Sequence, residues 1–103
     1  MANLGKLFKQ ATRIQQQIQA AQESLAQRTV EAASGGGAVK VVARCDETIQ
    51  SIKIDPKAID PEDPEMLEDL VLAAVNSALE KAKATAKEEL SKAAGGLPLP
   101  GFL

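Results

Sequence analysis

Two groups of cations are the side chains whose types and spacing best suit recognition chemistry: Lys6, Lys9 and Arg13 near the start of the chain, and Lys81, Lys83 and Lys87 further on. At about 100° per residue, Lys6, Lys9 and Arg13 fall within roughly 60° of one another on a helix. They form one basic stripe, a pattern that by itself suits a solvated face opposite a core better than a phosphate-contacting surface. The second group, with Lys92, is interleaved with Glu80, Glu88 and Glu89. Glu80 to Lys83 and Glu88 to Lys92 have helical ion-pair spacing, and lysine near a helix C-terminus is favoured by the dipole in any case.

Catalytic devices are harder to assemble. The chain has no histidine and one cysteine, Cys45. The usual zinc sets therefore cannot form within one protomer, and neither a Ser-His nor a Cys-His pair is available. Cys45 stands beside Asp46 and Glu47, whose charges oppose a thiolate, so a reactive thiol is not expected. The acidic residues from Asp55 to Asp69 lack the Asp-x-Asp-x-Asp-Gly calcium loop and are interrupted by prolines, which points to capping and solubility. These absences predict a protein that binds rather than catalyses, with no cofactor, no metal and no small-molecule substrate.

The elements that must position the cations follow from periodicity. Leu4, Leu7, Ala11, Ile14, Ile18, Ala21 and Leu25 repeat a spacing of three then four, which is a heptad seam and predicts a helix over 3–27 with Asn3 as N-cap. From Arg28 the period changes. Thr29 and Val30 begin a strand that Gly35-Gly36-Gly37 ends in a turn, and that turn lies before a strand and not before a helix, so it is no phosphate loop. Ala38 to Arg44 and Thr48 to Ile54 are rich in Val and Ile and predict two more strands, with Val39, Val41, Ile52 and Ile54 on the core side. A three-stranded antiparallel meander over 28–55 results.

Asp55-Pro56 stops the third strand, because proline removes a ladder donor and restricts the residue before it. Asp63-Pro64 then marks a helix start, with Asp63 as N-cap, Pro64 at the first helical position and Glu65, Glu68 and Asp69 near the positive end of the dipole. Leu67, Leu70, Val71, Ala74, Ala78, Ala82 and Ala86 give this helix an apolar face over 64–94. The remaining residues, 95–103, form an apolar tail, docked or mobile, that carries no side-chain charge. The fold class is α+β, in one domain spanning 1–103.

Dimerisation is expected from size. The only aromatics are Phe8 and Phe102, so the core is built from small aliphatic side chains and is thin. A helix of about 30 residues is ~45 Å long, which exceeds the width of a compact domain of this length. Its far end projects, and the seam residues Leu7, Ile14, Ile18 and Leu25 need a covering surface. A meander also leaves two edges that a second copy can pair. Neither a signal peptide nor a membrane span is recognisable, and the lone cysteine suits a reducing compartment.

Four strings then occur in order: Gly35-Gly36-Gly37-Ala38-Val39-Lys40-Val41, Ile52-Lys53-Ile54-Asp55-Pro56, Leu67-Glu68-Asp69-Leu70 with Ala74-Val75-Asn76-Ser77-Ala78, and Gly96-Leu97-Pro98-Leu99-Pro100-Gly101-Phe102. Together they resemble the YbaB/EbfC family of bacterial nucleoid-associated proteins across essentially the whole chain. The resemblance implies a homodimer joined largely through the strands, with projecting, tweezer-like helices, that binds DNA in the cytoplasm at the nucleoid. One departure is Cys45-Asp46-Glu47, where family members often carry Gly in the hairpin turn.

Charge bears on this in two ways. The chain has a formal net charge of −2, unlike a typical basic DNA-binding domain. Yet residues 1–28 hold four basic residues and one acidic, whereas residues 56–103 hold five lysines and nine acids. With almost no aromatics for base stacking, backbone contact to duplex DNA with low sequence specificity is the expected mode. The rival expectation is an assembly adaptor that docks a protein partner through the heptad helix and the Leu-Pro-Leu-Pro tail.

Overall fold

The computed structural model describes residues 3–95. The order is α1 (Leu4–Gln27), β1 (Thr29–Ser34), β2 (Val39–Arg44), β3 (Ile49–Ile54) and α2 (Pro64–Ala93), with single 3-10 turns at Gly35–Gly37 and Pro56–Ala58. The strands form one antiparallel sheet in the order β1-β2-β3. The α+β order helix, meander, helix expected from periodicity is the order observed. The tail beyond Gly95 lies outside the described residues.

Local chemistry explains the boundaries. Asp63 caps α2 by accepting from the Met66 amide at 3.2 Å, and Pro64 occupies the first turn, where its missing N–H is not needed. At α1 the expected cap does not form. Asn3 sits at the N-cap position with φ −111° and ψ 6°, outside the extended region from which a side chain reaches the first-turn amides, and it makes no capping bond. The turn between β1 and β2 uses left-handed backbone at Gly35 (φ +60°), where a Cβ would lie 3.0 Å from Cδ2 of Leu70. Glycine is required there both by conformation and by the close approach of α2. The β2–β3 turn places a non-glycine residue, Glu47, at φ 69°. Asp46 steadies it by accepting from the amide and hydroxyl of Thr48, and these bonds hold its carboxyl below the ordinary value.

Packing divides the sheet into a covered and an open face. Val30 and Ala32 of β1, with Val39, Val41 and Ala43 of β2, face α2 through Ala74, Ala78 and Ala82, each fully buried. Alanine at every fourth position lets helix and sheet approach closely. Ser34 Oγ donates to the Leu70 carbonyl at 2.6 Å, and Lys81 Nζ donates to the Glu31 carbonyl at 3.0 Å, fixing α2 along β1. On the open face lie Thr29, Glu31 and Ala33, then Lys40, Val42 and Arg44, then Ser51 and Lys53, as the register requires.

Four-residue spacing advances about 40° per step around a helix of 3.6 residues per turn. The buried stripe of α2 therefore winds from the sheet at Ala74–Ala82 toward α1 at Leu90. There Leu25, Cys45 and Leu90 make a second small core, with Ile18, Ala21, Val30 and Ala86 against it. Burial is the largest influence raising the Cys45 thiol pKa; Asp46 adds to it and Arg28 opposes it. The neighbouring acids thus contribute less than the sequence suggested, although the direction is the one expected. The result is elongated, with extents of 74 × 21 × 16 Å and a radius of gyration of 19.4 Å, against about 13 Å for a compact chain of this length.

Two stability outcomes follow. Ala78→Leu should overpack the contact between α2 and the sheet and cost about 1–3 kcal/mol in chemical denaturation at fixed protein concentration. An unchanged midpoint would mean that the helix does not lie against the strands as described. Glu47→Gly should instead stabilise by about 0.5–1 kcal/mol, since glycine adopts φ > 0 without the penalty paid by a side chain; a loss of stability would contradict the strained turn.

Candidate nucleic-acid interface

α1 carries its heptad seam to very different fates. Leu25 is buried against Cys45 and Leu90, and Ile18 and Ile14 are half-buried, but Leu7 is 57% exposed and Leu4 and Phe8 more so. The cause is length. Leu25 meets Leu90 near the end of α2, and the first three turns of α1 run on past that end. The seam is covered only where α2 lies beside it.

Lys6, Lys9 and Arg13 occupy this overhanging stretch, on the side of the helix away from the seam, and all three are exposed. Among the described residues none of them makes an ion pair. Lys9 and Arg13, with Phe8, Thr12 and Gln16, line a shallow groove on the helix surface. Thr12 is not available as a free donor there, because its Oγ1 donates to the Phe8 carbonyl at 2.9 Å.

The second cation group lies elsewhere. Lys81 is held on the Glu31 carbonyl, and Lys83 approaches Glu47 at 4.0 Å beside a cleft lined by Asn76, Leu79 and Glu80. Lys87 forms no ion pair among the described residues, whereas Lys92 lies 3.3 Å from Glu88 and 3.9 Å from Glu89. Of the two expected helical pairs, only Glu88 with Lys92 is formed; Lys83 turns to the β2–β3 turn instead of Glu80. Glu89 also pairs with Arg28 at 3.2 Å. These pairs are exposed and contribute little to stability.

Arg13 is twelve residues before Leu25, or about 18 Å along the helix, and Lys6 is further still. Lys81 and Lys83 sit beside the sheet. One protomer therefore does not bring the two groups into a single patch. The fold does create a third group that the sequence reading did not single out: Lys40, Arg44 and Lys53 share the open face of the sheet. The signal was the period-two alternation of Val39-Lys40-Val41.

The seam residues assigned to the strands also separate. Val39 and Val41 are wholly buried and Ile54 packs partly against the core, but Ile52 is 44% exposed. Ile52 pairs with Val41 and shares its face, yet α2 lies mainly over β1 and β2 and leaves β3 uncovered except near Ile54. Ile49, at the same edge, is exposed as well. Among the described residues, no helix is long and apolar enough to cross a membrane.

Comparison with known proteins gives this geometry a context. Residues 1–97 match the model of the YbaB/EbfC DNA-binding family. A nucleoid-associated protein of Moorella thermoacetica is 50% identical over 102 residues, covering 99% of this chain and 98% of the relative. One from Anaeromyxobacter dehalogenans is 50% identical over 96 residues, covering 93% of each chain. The crystal structure of an uncharacterised Helicobacter pylori protein superposes with a TM-score of 0.73 at 18% identity, over 85% of this chain and 92% of that one, which shows a shared fold. A DNA-binding family, and not an enzyme family, is thus matched over nearly the full length, and the chain belongs to the YbaB/EbfC DNA-binding family.

Proposed function

We propose that the protein binds double-stranded DNA as a homodimer with low sequence specificity, acting at the bacterial nucleoid on its organisation and on gene expression. Lys6, Lys9 and Arg13 are the principal contacts, and Lys81, Lys83 and Lys87 assist. The observation that carries this reading is the exposed cation stripe on the overhanging end of α1, unpaired among the described residues, in a chain that belongs to a DNA-binding family. Acids cluster instead from Asp55 to Asp69, before and within the first turns of α2. Net charge is therefore a poor guide, because a strand of phosphates meets the local field.

Support for a homodimer comes from two uncovered apolar surfaces. Ile49 and Ile52 lie on the edge strand β3, on the face that α2 covers elsewhere, while a lysine already occupies a carbonyl of the opposite edge strand, β1. A second copy joined along β3 would extend the sheet and cover both isoleucines. Leu4, Leu7 and Phe8 leave a further apolar strip on α1. The same strip favours the rival reading, an assembly adaptor that docks a protein partner.

Light scattering behind a sizing column should give twice the chain mass at micromolar concentration; a folded monomer would contradict the dimer. Function is tested by titrating unrelated duplexes across salt concentrations. Phosphate contact releases counterions, so affinity should fall with log salt at about −0.9 per contact, with about four to six contacts per dimer. Replacing Lys6, Lys9 and Arg13 by Gln together should weaken all duplexes alike and flatten this slope. Unchanged affinity and slope would make the stripe a solvated face, and an adaptor would show no steep salt dependence at all.

A further inference from the structure

The open face of the sheet carries three cations, Lys40, Arg44 and Lys53, against one carboxylate, Glu31, in a chain that is net negative. Lys40 and Lys53 are direct cross-strand partners. Like charges directly opposite one another are destabilising, and no ion pair among the described residues relieves them. Asp46, the acid beside Arg44, is hydrogen-bonded by Thr48 and also feels the Arg44 charge, which leaves Lys40 and Lys53 as the repelling pair. Their neighbours Ala33 and Ser51 are short, so the long cationic side chains stand above a low surface. Neither helix packs on this face: α2 covers the other one, and α1 meets α2 and the end of β2 through Leu25.

Folding accounts for the apolar half of the alternation in β2 and β3 but not for a row of cations that repel one another. From this arrangement we infer that the open face of the sheet is a further phosphate-contacting surface, on which Lys40, Arg44 and Lys53 hold the backbone of duplex DNA. The inference rests on the DNA-binding reading above and adds a surface distinct from the stripe on α1. Because β3 is an edge strand, a dimer joined there would set Lys53 of each copy beside the symmetry axis and make the two faces one continuous basic strip.

The test is a salt-dependent titration of one duplex with the parent chain and with three variants. Lys40→Gln with Lys53→Gln, and the same pair with Arg44→Gln, should lower affinity by about tenfold or more at moderate salt and reduce the salt slope. The double variant should melt no lower than the parent, since it removes a repulsive pair. Glu31→Gln should tighten binding, a gain that impaired folding cannot produce. If the parent binds and all three variants match it in affinity and slope, the sheet face is not a contact surface, while the reading of α1 stands. A parent chain that binds no duplex overturns both.

Discussion

The close approach of α2 to the sheet governs the rest of the molecule. Ala74, Ala78 and Ala82 present no more than a methyl group to Val39, Val41 and Ala43, so the contact layer is built from small side chains. That contact excludes water well but buries little area per residue, and the hydrophobic gain scales with area. The same narrow contact lets a 30-residue helix cross the sheet and continue beyond it. Beyond the sheet its apolar stripe, wound round by the four-residue spacing, is met by α1 at Leu25 and Leu90. An elongated chain with a thin core follows directly, and that thinness is one support for the proposed dimer.

Function depends on what this arrangement leaves uncovered. α2 serves β1 and β2, so β3 is left as an edge with two isoleucines on its inner side, a surface suited to a second copy. α1 outruns α2, so its first turns carry cations into solvent, and among the described residues none of these cations forms an ion pair. The outer side of the sheet is free of both helices. A protein that holds phosphates without reading bases needs few fixed contacts and no pocket, and this economy is visible in a chain that commits its small residues to one helix–sheet contact.

Much of the architecture was legible because it depends on local rules. The heptad period of α1, the glycines before Ala38 and the Asp63-Pro64 start of α2 each name an element through backbone chemistry that acts within a few residues. Coverage was not legible, because it depends on where elements end relative to each other. Leu7 and Leu25 occupy equivalent seam positions, yet one is exposed and the other buried, since only the latter has α2 beside it. Ile52 and Val41 share a face and differ for the same reason. Asn3 carries a capping side chain but lacks the backbone angles to use it. The cations of the open face were not legible as a group because Lys40 and Arg44 stand four apart on one strand and Lys53 on another, and only the strand register shows that Lys40 faces Lys53.

In the proposed function the molecule recognises the regular backbone of duplex DNA and not bases or a protein partner. Competition for a fluorescently labelled duplex tests it most directly, with unlabelled duplexes of unrelated sequence and a single strand of equal length as competitors in one buffer. Unrelated duplexes should displace the label equally, and the single strand, for whose bases the protein offers one exposed aromatic, Phe8, among the described residues, should compete poorly. A single strand that competes as well as duplex, or one duplex that competes far better than the others, would contradict the account.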